Sequence, residues 1–91
     1  GTLAAAIVAQ MREDYRDLDS EPAADTLAAR TLTGFDINFY YLDLTNTAQV
    51  RTIVTPTAIY LVFCQADDRE WDHVAPVFAA ITTSFVLGLE D

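Results

Sequence analysis

Four strand-length segments of this 91-residue chain are joined by turns of only a few residues. A parallel pair of strands needs a crossover of about a dozen residues or more. Strands joined this tightly must pair antiparallel, so the middle of the chain is expected to be a meander sheet. The segments are residues 26–32, 35–44, 49–55 and 58–65. In the second, Phe35, Ile37, Phe39 and Tyr41 fall on one face, and Asp36, Asn38, Tyr40 and Leu42 on the other. The third is rich in β-branched residues, with Val50, Thr52 and Val54 on one side. The fourth is apolar on both faces, which predicts a central strand. Thr33-Gly34, Thr45-Asn46-Thr47 and Thr55-Pro56-Thr57 are the expected turns. Gly34 is free to take positive φ there, and Pro56 cannot sit in a central ladder.

A helical segment flanks the sheet at each end. Leu3, Ile7, Met11 and Tyr15 recur at helical spacing, Thr2 is placed to cap, and the pattern runs to about Leu18. Arg12 and Arg16 alternate with acids, as on a solvated face. Ser20-Glu21-Pro22 reads as a breaker. At the other end, Asp67 or Asp68 caps a helix, with Glu70 at capping-box spacing from Asp67. Trp71, Val74, Ala75, Phe78, Ile81, Thr82 and Phe85 form its apolar stripe. Pro76 predicts a kink and Gly88 a stop.

The expected fold is therefore α+β, in the order α-β-β-β-β-α, as one domain over residues 1–91. Both helices are expected on one face of the sheet, as a two-layer sandwich. Phe35, Ile37, Phe39, Ile59, Leu61 and Phe63 would meet Trp71, Phe78 and Phe85 beneath them. That arrangement leaves Tyr40, Leu42, Tyr60, Val62 and Cys64 on a face with no cover. A preceding segment or a second copy of the chain would have to supply it.

Fourteen acids against five arginines, with no lysine, give a net charge of −9. Nucleic acid is disfavoured as a partner because phosphate neutralisation needs a basic face. Anionic membrane surfaces are disfavoured for the same reason. No apolar run approaches the ~20 residues of a membrane span. The apolar stretch at residues 3–9 lacks the basic flank and cleavage site of a signal peptide. With no targeting signal, a cytoplasmic location is the default expectation.

Catalytic patterns are missing. His73 stands among Asp67, Asp68, Glu70 and Asp72, but adjacent helical residues point about 100° apart and do not share a metal. Acids at a helix start complement its dipole. Asp36 and Asp43 alternate along a surface, and Ser84 has no nucleophile elbow around it. Cys64 lies in an apolar strand, where a thiol behaves as a small hydrophobe. No cofactor or metal motif is present.

The segment Thr31-Leu32-Thr33-Gly34-Phe35-Asp36-Ile37-Asn38-Phe39 leads a glycine into a long strand. Arg51 follows on the next strand, then the aliphatic strand of residues 59–63, an acidic loop and the helix Trp71…Phe78…Ile81…Ser84-Phe85. In these features the chain resembles the C-terminal part of the Mog1/PsbP-like fold, including DcrB-like relatives. The family's N-terminal strands have no counterpart here. The resemblance implies a binding or scaffold role, since members of that fold are mostly non-enzymatic. It carries over no binding residues.

The expected function is a non-catalytic protein-interaction or scaffold domain, binding a protein partner or a second copy as a homodimer, whose contact residues are Tyr40, Leu42, Tyr60 and Val62. Aromatic residues at such positions suit an interface. The alternative is a small-molecule-binding or enzymatic module with a pocket between sheet and helices, marked by Asp36, Asp43 or His73.

Overall fold

The structure, a computed structural model, describes residues 2–15 and 17–89, with the side chain of Thr2 outside the described set. The expected Thr2 cap and the placing of Arg16 therefore lie outside the described residues. The element order is α1 (Thr2–Asp14), β1 (Asp19–Leu27), β2 (Arg30–Tyr41), β3 (Leu44–Val54), β4 (Ile59–Asp67) and α2 (Asp68–Leu87). The strands pair antiparallel in the order β1-β2-β3-β4. The α+β class, the meander and the α-β-β-β-β-α order are thus as the sequence predicts.

The helices, however, take opposite faces. Parity along β4 decides this. Leu61 and Phe63 line a groove with Ile7, Met11 and Tyr15 of α1. Val62 and Cys64, which point the other way, line a cavity with Trp71 and Phe78 of α2. The sheet is the middle of three layers, not one of two. The overall extents of 42 × 28 × 15 Å agree, since four strands span only about 15 Å in width. The expected grouping of Phe35, Ile37, Phe39, Leu61 and Phe63 on one face holds, but that face belongs to α1 alone. The face expected to be bare lies under α2. Apolar residues on both sides of a strand call for cover on both sides, and each side has its own helix.

On the α1 face, Ala4, Val8 and Met11 pack with Leu18, Ile37, Phe39, Ala48 and Val50. Tyr15 stacks on Phe39 with ring centroids 4.5 Å apart and meets Tyr41 edge-on at 5.8 Å. On the α2 face, Leu32, Ile53 and Val86 form a smaller cluster edged by Leu27, Tyr60, Val62 and Leu89. Each fully buried aliphatic contributes about 1.5–3 kcal/mol. Arg12 is not merely solvated. Its guanidinium donates to Leu18 O (3.1 Å) and Ser20 Oγ (2.6 Å), tying the end of α1 to the start of β1.

The turns fall elsewhere than expected. The first strand does not begin at Thr26 and cross to Leu32. Ala28 and Ala29 take positive φ (49° and 64°) and turn β1 into β2. Leu42 and Asp43 do the same between β2 and β3 (51° and 61°), so Thr45-Asn46-Thr47 is strand, not turn. Two successive positive-φ residues match the right-handed strand twist, but alanine and leucine do not announce them. Gly34 lies inside β2 and Pro22 inside β1. Proline is admissible there because β1 is an edge strand. The expected turn at Thr55-Pro56-Thr57 is present, closed by Thr55 N to Ala58 O (2.8 Å) and Ala58 N to Thr55 Oγ1 (3.0 Å). β4 passes directly into α2, where Asp67 Oδ1 accepts the N–H of Glu70 (3.2 Å) as the expected cap. The helix runs unbroken through Pro76.

Thr52 is buried on the α1 face, and its Oγ1 has no partner among the described residues. An unsatisfied buried hydroxyl costs about 1–3 kcal/mol. Thr52→Val keeps the shape and removes that cost. Urea denaturation should show it about 1 kcal/mol more stable, and a loss would mean the hydroxyl has a partner.

Candidate functional site

Three features of the molecule could support function. The first is a polar knot on the α2 face. Arg51 stands opposite Gly34 across the β2–β3 ladder. Its side chain is only 7% exposed. Nε donates to Asp25 Oδ2 (2.7 Å) and Nη2 to Asp36 Oδ1 (2.6 Å). Nη1 donates to the carbonyls of Phe35 (2.9 Å) and Val50 (3.1 Å). Burial alone would lower the guanidinium pKa, but the hydrogen bonds and charges of Asp25 and Asp36 outweigh it and raise it. Four of the five guanidinium N–H donors are occupied, so the knot pins three strands together and leaves one Nη2–H as the remaining donor.

The second feature is the cavity between α2 and the sheet, about 410 Å³ in volume. Leu27, Leu32, Val62, Trp71 and Phe78 give it apolar walls, and Asp25, Gln49, Arg51, Thr82 and Thr83 polar ones. Cys64 also lines it, and desolvation by burial raises the thiol pKa despite the opposing field of Arg51. A thiol held protonated is a poor nucleophile.

The third feature is a side of the molecule built from two uncharged segments, bordered on the α1 face by Asp14, which lines a groove with Phe63. Residues 53–66 and 74–89 contain no Asp, Glu, Lys, Arg or His. They comprise the end of β3, the turn after it and β4 up to Ala66, and the last two-thirds of α2 with the two residues after it. Their exposed apolar residues include Ile59 (62%), Phe63 (41%), Val77 (54%) and Ile81 (60%). β1 and β4 are the two edges of the sheet. β1 carries Asp19, Glu21, Pro22 and Asp25, the residue types that discourage further pairing. β4 has no such residue before Asp67.

The expected contact set does not form one surface. Tyr60 and Val62 are half-buried beneath α2, and Tyr60 meets Phe85 edge-on with centroids 5.3 Å apart. Tyr40 is an exposed residue at the far end of the same face, beside Thr45, whereas Tyr60 pairs with Ile53. That is eight residues along β3, roughly 26 Å. Leu42 is in the β2–β3 turn. Asp36 belongs to the Arg51 knot, Asp43 to the same turn as Leu42, and His73 and Ser84 are exposed on α2. They do not converge. No group of three metal-ligating side chains occurs among the described residues. No helix of the described residues is long and apolar enough to cross a membrane.

Comparison with protein-family models, curated proteins and solved structures gave no match.

Proposed function

We propose that this is a non-catalytic interaction domain that assembles through the β4 edge and the adjoining flank of α2, and that its partner is a second copy of the chain. The observation that carries this is the uncharged side. A helix apolar around most of its circumference is ordinarily buried, and α2 beyond His73 has no charge on any face. In a chain of net charge −9, a basic partner would be met by acids. A partner of the same acidity can approach only where neither surface is charged.

The geometry suits a two-fold axis normal to the sheet, with β4 paired antiparallel to β4 of the copy. α2 rests on β3 and β4. An axis midway over the gap between them would lie roughly 2.4 Å inside β4, and strands pair about 4.8 Å apart. The two α2 helices would then lie side by side at roughly 10 Å, the spacing of packed helices. Val77, Ile81 and Phe85 would meet across the axis, and an eight-stranded sheet would result. The Mog1/PsbP-like resemblance supports the same class of role.

Sedimentation equilibrium tests the proposal. The chain should sediment as a dimer, and Phe63→Lys with Ile81→Glu should weaken association at least 100-fold, about 2.7 kcal/mol or more. Both positions are exposed in the monomer, so its melting temperature should hold. A wild-type monomer at hundreds of micromolar, or an unaffected variant dimer, would overturn the reading.

A further inference from the structure

We infer that the cavity beneath α2 is a binding site for a small aromatic amine. It spans the α2 face of the sheet, from Asp25 and Leu27 of β1 to Val62 and Cys64 of β4. Its volume of about 410 Å³ is in the range of ligand sites and suits a one- or two-ring body. Trp71 and Phe78, with centroids 6.0 Å apart, supply an aromatic wall opposite Leu27 and Leu32.

The polar groups select the charge of the ligand. Arg51 spends four of its five N–H donors on Asp25, Asp36 and two carbonyls, so a carboxylate or phosphate finds one Nη2–H at most and no bidentate fork. The Thr82 and Thr83 hydroxyls donate to Phe78 O and Ala79 O (both 2.8 Å) and keep only lone pairs for a guest. Asp25 has one oxygen on Arg51 and is half exposed at the cavity rim. The rim is thus rich in acceptors, with Gln49 able to donate or accept. The knot itself sums to one negative charge, two carboxylates against one guanidinium, within a chain of net −9. A protonated amine is attracted by that field and by the face of Trp71, whereas an anion is repelled.

A matched pair of probes tests this directly. 2-(1-Naphthyl)ethylamine and 1-naphthylacetate share a ring system and differ in the sign of charge. Titrated into the ¹⁵N-labelled chain, the amine should give saturable shifts at the Trp71 indole N–H and the Gln49 side-chain amide. The acid should bind at least tenfold more weakly. Ala79→Leu, which fills the cavity from α2, should abolish the shifts while melting at the same temperature or higher. Absence of saturable shifts with the amine, equal binding of the acid, or full binding by a folded Ala79→Leu chain would each overturn the inference.

Discussion

Gly34→Ala is expected to destabilise the fold by about 3 kcal/mol or more. Intrinsic preference points the other way, because alanine is normally favoured over glycine inside a strand by about 0.5–1 kcal/mol. Packing decides the sign. A Cβ at residue 34 would overlap the carbonyl oxygen of Val50, lie 2.8 Å from its carbon and 3.1 Å from Arg51 Cα. All three are backbone atoms, so no rotamer change relieves the clash. β2 and β3 would have to part at the point where Arg51 crosses to Phe35 O. A chain of this length has a total stability of roughly 5–14 kcal/mol. Urea denaturation should therefore show a midpoint lowered by roughly 2 M. An unchanged midpoint would mean the two backbones do not approach so closely.

Arg51→Met is expected to lose about 2–3 kcal/mol, although methionine keeps the apolar stem of the side chain. Two carboxylates would lose their shared cation, and the carbonyls of Phe35 and Val50 would lose a donor. The loss stays below that of a wholly buried pair because Asp25 and Asp36 are about half exposed and regain water. Arg51→Lys should lose about 1–2 kcal/mol, since one ammonium cannot serve both carboxylates and the carbonyls. Adding Asp25→Asn to Arg51→Met should recover part of the deficit by relieving repulsion between carboxylates. The folded-state pKa of Arg51 is raised. Its stabilisation is therefore complete below the ordinary guanidinium value and fades only as pH rises through the folded value. The wild-type advantage over Arg51→Met should not fade as pH rises through the neutral range. Thermal denaturation of the four chains checks each sign.

The fold class was legible because it rests on segment lengths and short connections. The facing sets on β2 and β4 were legible from alternation. The placing of the helices was not, since an apolar strand looks the same whether one face or both are covered. The turns at Ala28-Ala29 and Leu42-Asp43 were hidden because positive φ falls there on residues other than glycine. Their misplacement moved Gly34 from strand to turn and Leu42 from turn to strand. The apolar character of β4 predicts a central strand, but it is an edge with a helix on either face. The uncharged residues 53–66 and 74–89 were visible in the sequence. Their meaning depended on β4 and α2 being neighbours. Arg51 carried a weak signal, a lone cation in a β-branched strand. Only the register opposite Gly34 explains how it is buried.

Hydrogen exchange along β4 tests the assembly surface most directly. β4 pairs with β3 on one side and has no strand on the other among the described residues. If the edge joins a second copy, the outward amides among residues 59–66 will be protected at high protein concentration and will lose protection on dilution. Outward amides that exchange as fast as those of the Leu42-Asp43 turn at every concentration would contradict it.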